Sequence, residues 1–227
     1  KIFVTCGPVA DYVLVLARTN DAPRAKGVSA FIVDTSLAGV TRGPKNKKMG
    51  YNGATPNCDF FFEDVHVPAD AMVGGDGEGF AIAMKCMEFT RPAMSASALG
   101  IAQGALEQAV AFAKEREQFG RPIGSFQMVQ SQIAQCAVEL EAARLLVYNA
   151  ARLKDAGKDF VKEAAMAKLY SSQMAERVAS RAVELLGGNG FTKEYPVEKF
   201  FRDSKIGSIY EGTSNMQLVT IAKMVMS

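Results

Sequence analysis

Histidine is almost absent from this chain, which contains only one, His66. It alternates with two valines, a pattern typical of an exposed strand residue rather than of a ligand. The four cysteines, Cys6, Cys58, Cys86 and Cys136, are scattered and lack the spacing of metal ligands. The chain therefore has too few suitable side chains for a histidine-based triad or a metal site, and we expect no bound metal. Free thiols in a reducing compartment are the expected state of the cysteines.

An excess of charge of either sign is also missing. Lys plus Arg total 26 against 24 Asp plus Glu, a net charge of +2, which is too balanced for electrostatic binding of nucleic acid. No apolar run reaches the length of a membrane span. With 227 residues, of which 48% are hydrophobic, the chain can form one large domain or two small ones.

An initiator methionine and a signal-peptide pattern are absent from residues 1–5, which read like the middle of a strand. We therefore expect the chain to be a piece of a longer protein. No targeting segment is visible in it.

Two periodicities divide the sequence. Residues 1–75 predict β-structure, with short apolar runs at 12–17, 28–33 and 58–67, the last ended by Pro68. The glycine-rich residues 74–79 lack dinucleotide-binding spacing and are interpreted as a hinge into a helix. From about residue 79, apolar stripes predict three long helices, a short helix around 195–205 and a last one from about 214. The expected α+β fold is a β-domain in residues 1–75 and an antiparallel helical bundle in residues 76–227.

The stripes of the second and third long helices name the side chains expected to face the core. In the second they are Ile133, Ala137, Leu140, Arg144, Val147 and Ala151. In the third they are Ala164, Ala167, Ser171, Ala175, Val178, Ala182 and Leu185.

Residues 209–215, Ile-Tyr-Glu-Gly-Thr-Ser-Asn, combine a carboxylate, a glycine and a helix cap. The glycine lets a ligand approach the backbone, and the N–H groups of the following helix start favour an anionic or carbonyl oxygen. A base and donors this close together suit proton abstraction beside a carbonyl. Taken alone, the segment is better interpreted as a plain turn before a C-terminal helix.

Five further motifs occur in the chain in a fixed order. They are Phe-Phe-Phe-Glu-Asp-Val-His-Val-Pro at 60–68, Thr-Arg-Pro at 90–92, Arg-Glu-Gln-Phe-Gly at 116–120, Leu-Gly-Gly-Asn-Gly-Phe at 186–191, and Tyr-Pro-Val-Glu-Lys at 195–199. Together with Tyr-Glu-Gly-Thr at 210–213 they closely resemble the acyl-CoA dehydrogenase family, over the whole chain. The resemblance implies a partial β-barrel or sandwich domain followed by the helical bundle.

The resemblance also implies a reaction. It is FAD-dependent α,β-dehydrogenation of an acyl-CoA thioester to the trans-2-enoyl-CoA, with electrons passed to an electron-transfer flavoprotein. It further implies a homotetramer or homodimer, in the bacterial cytoplasm or the mitochondrial matrix.

In the family, the residue matching Glu211 abstracts the α-proton of the thioester. Some members instead carry the base at the place of Thr90, which is threonine here. The implied substrate contacts are Glu88, Thr90, Arg91, Tyr210 and Gly212. Without the resemblance, the polar cluster at 88–91 reads as the solvated side of a helix.

Other positions match family contacts to FAD. Arg116 and its neighbours reach the nucleotide of an adjacent subunit in the family, although a solvated charge at a helix end is the plainer reading. Glu184 departs from the glutamine common there, which puts a direct contact to an anionic nucleotide in doubt. The implied FAD contacts are Phe3, Val4, Thr5, Arg116, Gln118, Phe119, Phe126, Gln127, Glu184, Leu185, Leu186, Gly187, Gly188, Thr213, Ser214 and Asn215.

Two other functions compete with the dehydrogenase. One is a flavin oxidase or monooxygenase on the same fold; the Tyr-Glu-Gly-Thr segment argues against the monooxygenase. The other is a catalytically inactive piece that serves as a structural or oligomerisation unit.

Overall fold

The structure is a computed structural model that describes residues 1–53 and 55–227. The chain forms two compact units, Lys1–Met87 and Glu88–Ser227. The sequence-based domain boundary after residue 75 lies shortly before this division and stays a prediction.

The described residues of the first unit form seven short strands. They are β1 (Val4–Thr5), β2 (Tyr12–Arg18), β3 (Val28–Asp34), β4 (Val40–Arg42), β5 (Asn57–Cys58), β6 (Phe60–Phe62) and β7 (Met72–Val73). Strands β2 and β3 pair antiparallel from Tyr12 opposite Asp34 to Arg18 opposite Val28, and β7 adds to the other edge of β3. Strands β1 and β5 form a second antiparallel pair, and β4 and β6 a third. The expected α+β class is confirmed, and the described strands form separate sheets rather than a closed barrel.

The core of this unit comes from alternating positions on these strands. Its buried side chains include Val13, Ala30, Val33, Cys58 and Phe60. Inward and outward positions alternate along a strand, so short runs of this kind each bury one face.

The predicted length of one strand is wrong. The run 58–67 was expected to be a single strand, but β5 and β6 end at Phe62. Asp64 has a φ of 50°, a left-handed backbone that cannot continue a pleated strand. His66 therefore lies beyond the strand, where it is exposed.

The helices and one hairpin follow the strands of the first unit. They are α1 (Gly79–Glu115), the hairpin of β8 (Glu117–Gln118) and β9 (Arg121–Pro122), α2 (Gln127–Asp155), α3 (Val161–Leu186), α4 (Val197–Ser204) and α5 (Ser214–Met226). Helix α1 begins in the first unit and continues through the second. No helix in the described part of the chain is long and apolar enough to cross a bilayer.

Two buried clusters fix the directions of the long helices. In one, Ala98 to Ala102 of α1 meets Leu140 to Ala150 of α2 and Ala167 to Val178 of α3. In the other, Ala105 to Ala109 of α1 meets Ala179 to Leu186 of α3, with Val129 and Ile133 of α2 packed beside them. Residue numbers rise together in α1 and α3 and fall in α2, so α2 is antiparallel to both.

The predicted stripe of α3 is confirmed, because all seven of its residues are buried. The stripe of α2 is rotated slightly from its prediction. Ala137 is exposed, and Cys136, Ala143 and Ala150 face the core at heptad spacing. Alanine is small enough for either face, so the apolar pattern alone did not fix the rotation.

A buried carboxylate links α2 to α3. Glu139 of α2 accepts hydrogen bonds from Arg177 Nε at 2.7 Å and Arg181 Nη1 at 2.6 Å. Burial opposes ionisation, but the two arginines outweigh it and lower the pKa of Glu139. The depressed pKa means that this carboxylate stabilises the fold above about pH 4.3, and that the contribution is lost as the pH falls through the lowered value.

We predict that Glu139→Gln lowers the free energy of unfolding by about 1.5–3 kcal/mol at pH 7, because two charge-assisted hydrogen bonds weaken. The same change at Glu141, an exposed neighbour paired with Arg144, should cost less than about 1 kcal/mol. Urea denaturation measures both. Equal effects of the two substitutions would contradict the stabilising role of Glu139.

Candidate functional site

The loop that precedes α5 carries the candidate base on an unusual backbone. Glu211 has a φ of 55° and Gly212 a φ of 84°, so two consecutive residues are left-handed. For a residue with a Cβ this conformation costs about 1–2 kcal/mol and needs support from its surroundings. Thr213 then caps α5, since its hydroxyl accepts from Met216 N at 3.4 Å. The predicted cap is therefore present.

Buried side chains hold this loop through its backbone carbonyl groups. Gln217, which is 0% exposed, donates from Nε2 to Gly212 O at 2.9 Å and to Glu211 O at 3.3 Å. Lys168, which is 1% exposed, donates from Nζ to the same Gly212 O at 2.7 Å. The backbone at the candidate base is therefore anchored from both α3 and α5.

The carboxylate itself meets α1. Thr90 Oγ1 donates to Glu211 Oε2 at 2.6 Å, which joins a predicted substrate contact to the predicted base across 121 residues of sequence. The next residue, Arg91, is 5% exposed, and its Nε has no hydrogen-bond partner among the described residues. One carboxylate oxygen is thus fixed by a hydroxyl, and a buried cation lies on the same turn of α1.

The electrostatics at this place centre on Lys168. Burial lowers its pKa, the charge of Arg91 lowers it further, and Glu211 acts in the opposite direction, which together bring the pKa of Lys168 to about 8. The ammonium therefore remains charged at neutral pH and titrates in the mildly alkaline range.

A second group of candidate residues surrounds the β8–β9 hairpin, directly after α1. Arg116 and Gln118 are exposed, and Phe119, at a φ of 54°, is 93% exposed. The ring of Phe119 lies edge-on to that of Phe126, with centroids 6.0 Å apart. Arg121 stacks over Phe126 at 4.2 Å. The hairpin tip is an exposed aromatic and basic surface, and Gln127 begins α2 beside it.

The end of α3 contributes a third group. Leu185 and Leu186 are buried in the core, so only their backbone can contact a ligand. Glu184 is exposed and accepts from Ser180 Oγ at 3.3 Å. At Gly187 and Gly188 an added Cβ would meet nothing within 4 Å, which leaves the backbone open to close approach.

The candidate residues of the second unit lie at two opposite ends of the bundle. Thr90, Lys168 and Glu211 are at what we call the base end. Arg116, the hairpin and Gly187–Phe191 are at what we call the hairpin end, because Phe112 packs with Leu186 in the second cluster. The stretch of α1 from Thr90 to Glu115 is roughly 37 Å long at about 1.5 Å per residue. Thr213, Ser214 and Asn215 belong to the base end.

The remaining candidates are in the first unit. Val4 and Thr5 form β1, opposite Cys58 and Asn57, so the strand expected over residues 1–5 is confirmed only for these two. Phe3 precedes the strand with a φ of 54°; its N–H donates to Asp59 Oδ1 at 3.1 Å, and its ring is exposed.

Comparison with known proteins matches both units. The sequence model of the acyl-CoA dehydrogenase middle domain matches residues 1–65, and that of the acyl-CoA dehydrogenase C-terminal domain matches residues 77–226. The chain belongs to the acyl-CoA dehydrogenase family.

Individual relatives agree with this assignment. The mitochondrial short/branched chain specific acyl-CoA dehydrogenase of Rattus norvegicus is 45% identical over 225 residues, which cover 99% of this chain and 52% of that protein. The subunit CarC of the caffeyl-CoA reductase–Etf complex of Acetobacterium woodii is 43% identical over 226 residues, 100% of this chain and 59% of that protein. The butyryl-CoA dehydrogenase structure from Megasphaera elsdenii has a TM-score of 0.97 at 42% identity, covering 100% of this chain and 59% of that one. The chain thus spans between one half and three fifths of these relatives.

Two residues of the base end escaped the sequence analysis. Lys168 and Gln217 received no role, yet they hold the Glu211–Gly212 backbone of this acyl-CoA dehydrogenase family member. A signal was present for Lys168, because it directly follows Ala167 and is four residues from Ala164 on the predicted buried stripe. A lysine at such a position is rarely buried without a partner.

Gly212 is the residue that the loop geometry constrains most. A Cβ there would lie 2.7 Å from Gln217 Nε2, whereas at Gly157, with a φ of 64°, it would meet nothing within 4 Å. We predict that Gly157→Ala costs about 1–2 kcal/mol from backbone strain alone. Gly212→Ala should cost clearly more, because it also displaces a fully buried side chain. Thermal or urea denaturation compares the two, and equal losses would show that Gln217 does not confine this loop.

Proposed function

We propose that the full-length protein carrying this sequence oxidises an acyl-CoA thioester between Cα and Cβ to the trans-2-enoyl-CoA, with FAD as its cofactor. The single observation that carries the proposal is the Glu211 carboxylate, fixed by Thr90 at 2.6 Å on a left-handed loop. The family assignment and the names of the relatives support the same reaction class.

Glu211 is the proposed base. Its carboxylate accepts the α-proton of the thioester, while Thr90 holds Oε2 and leaves the other oxygen free to face the substrate. The negative charge that develops on the thioester oxygen needs donors, and the backbone N–H of Glu211 is the proposed one. Gly212 has no side chain to obstruct the thioester. A carboxylate is a weak base compared with the carbanion that proton abstraction would leave. The reaction therefore depends on holding base and substrate in a fixed geometry.

The other proposed substrate contacts differ in how they act. Glu88 on α1 and Tyr210 beside the base are both half-buried, so both can touch a ligand directly. Arg91 is buried, and we propose that it acts on bound substrate chiefly through its positive charge.

The residues of the hairpin end fit a flavin nucleotide. An exposed arginine can pair with a pyrophosphate through its planar fork, exposed rings can border an adenine, and the open backbone at Gly187 and Gly188 allows close approach. FAD bound in the protein would supply the redox chemistry, accepting the β-hydrogen as hydride so that Cα–Cβ becomes a double bond. The residues of this chain bind, orient and exclude water.

The separation of the two ends favours an oligomer. A span of roughly 37 Å along α1 exceeds the reach of one extended dinucleotide. One cofactor therefore cannot contact the base end and the hairpin end of the same chain. We propose that each flavin lies between two subunits of a homodimer or homotetramer, with Arg116, Gln118 and Phe119 of one subunit reaching the cofactor of its neighbour.

The electrons are proposed to leave through an electron-transfer flavoprotein. Support comes from the Acetobacterium woodii relative, which is named as a subunit of a complex with Etf. A location in the bacterial cytoplasm or the mitochondrial matrix accords with such a partner. An oxidase would instead consume oxygen during turnover, and an inactive structural unit would purify without flavin absorbance.

We predict that Glu211→Gln in the full-length protein retains FAD and binds acyl-CoA, yet reduces the flavin roughly 10²–10⁴-fold more slowly, because it lacks a base. Anaerobic stopped-flow absorbance with a series of acyl-CoA substrates measures the rate. Glu141→Gln, an exposed carboxylate on α2, is the control and should reduce normally. Near-normal flavin reduction by Glu211→Gln would place the base elsewhere.

We predict that Arg116→Ala weakens FAD binding roughly ten- to a hundredfold, the loss of one charge-assisted contact of about 1.5–3 kcal/mol. The exposed hairpin should leave the free energy of unfolding unchanged. Titration of the apoprotein with FAD provides the affinity, with Arg152→Ala, at the exposed far end of α2, as the matched control. Unaltered flavin affinity would remove Arg116 from the cofactor site.

A further inference from the structure

A lysine occupies the buried stripe of α3 at the base end of the bundle. Lys168 is 1% exposed, and the alanines and serines around it on α3 are likewise buried. Moving an ammonium group out of water is costly unless it is paired. The Lys168 ammonium therefore needs a buried partner.

The partner is a backbone carbonyl and not a carboxylate. Lys168 Nζ donates to Gly212 O at 2.7 Å, its single hydrogen bond among residues 1–53 and 55–227. No carboxylate in this described part forms an ion pair with it within 4.0 Å. Two charged groups act on it from the elements that pack nearby, Arg91 of α1 and Glu211 of the loop before α5.

We propose that Lys168 is a positioning residue for Glu211, fixing the left-handed backbone of the base through Gly212 O and stabilising the ionised carboxylate with its charge. The inference rests on the proposed function of Glu211 as the base. Lys168 touches neither substrate nor cofactor in this assignment and acts only through the loop.

The hydrogen bonding of Gly212 O supports this assignment. Gln217 already donates to that carbonyl, so a neutral donor satisfies it and lysine is not needed to avoid an orphaned group. What lysine adds is a charge-assisted bond, about twice as strong as a neutral one, and a positive charge near the carboxylate. Both effects are directed at Glu211, whose strained φ would relax without them.

Stability alone does not account for the lysine. Because its pKa in the folded protein is about 8 and that in the unfolded chain is about 10.4, the folded state binds the proton less tightly. The free energy of unfolding then rises with pH between these values, and below about pH 8 the charged lysine costs stability. The charge on Lys168 thus carries a stability cost at neutral pH, and the hydrogen bond to Gly212 O directs that charge at the loop of Glu211.

The first test does not depend on catalysis. In the flavin-loaded protein, ¹³C labelling of lysine side chains gives a titration curve for Lys168, assigned by the signal lost in Lys168→Met. Since the negative charge of Glu211 favours the ammonium, Glu211→Gln should shift the midpoint downward by on the order of one pH unit. Glu141→Gln should leave it unchanged. An unmoved midpoint in Glu211→Gln would overturn the inference.

The second test uses the rate of flavin reduction. Lys168→Met should slow reduction by acyl-CoA roughly ten- to a hundredfold with little change in KM. Lys162→Met, the same change at a partly exposed position of the same helix, should behave as the unmodified protein. Lys168→Arg, which keeps the charge and the donor, should recover part of the rate.

The outcomes separate the two proposals. A slow Glu211→Gln with a normal Lys168→Met keeps Glu211 as the base and rejects Lys168 as its positioning residue. A slow Lys168→Met that Lys168→Arg does not rescue also rejects it, since that result describes a structural defect only. If Glu211→Gln reduces normally, the proposed function fails, and the titration still decides whether Lys168 and Glu211 are coupled. If Lys168→Met does not fold, the signal lost in Lys168→Arg assigns the resonance, and the titration of the unmodified lysine is the deciding measurement.

Discussion

The close packing of three alanine-lined helices is the constraint on which the rest of the second unit depends. Alanines of α1, α2 and α3 are fully buried where the helices meet, and small side chains let the helix backbones approach closely. Interiors packed this densely resist displacement. The ends of α1 and α3 are therefore fixed relative to each other. This packing sets the positions of the polar groups at the base end and the hairpin end.

The base end shows how that rigidity is used. Thr90 on α1, Lys168 on α3 and Gln217 on α5 converge on two residues of one loop. Three helices thereby hold a backbone conformation that Glu211 would not adopt alone. The left-handed conformation is an observed outlier, and the donors around it are the surrounding structure that maintains it.

The sequence predicted the elements well where one pattern decided them. The stripe of α3 was predicted residue by residue, because a strict apolar period leaves one solution for a buried helix. The sequence-based prediction was wrong for residues 63–67. The left-handed backbone of Asp64 ends the strand there, and no glycine or proline at that position indicates it. The prediction was slightly wrong on α2, where alanine at 137 fits either environment. In such cases the conformational preference of the local sequence does not determine the structure, and tertiary packing determines it instead.

The candidate site was predicted in part, for a similar reason. Glu211 and Thr90 were both selected from motifs, but their 2.6 Å contact joins residues 121 positions apart and could not be read from spacing. Lys168 was overlooked because a binary pattern of apolar and polar residues treats a buried lysine as an error rather than as information. Gln217 was overlooked because glutamine is ordinary on an exposed helix, and nothing local signals that it is fully buried.

The contact between Thr90 and Glu211 also bears on the two places at which the family resemblance puts the base. Because Thr90 Oγ1 lies 2.6 Å from Glu211 Oε2, a carboxylate carried by either backbone position can bring an oxygen to nearly the same point. The supports differ, however. Position 90 is held by the regular hydrogen bonds of α1, whereas position 211 depends on a strained loop and on the donors that meet at Gly212 O. A carboxylate on the helix needs no such anchors, whereas one at 211 is held by a loop on which two buried donors, Lys168 and Gln217, converge.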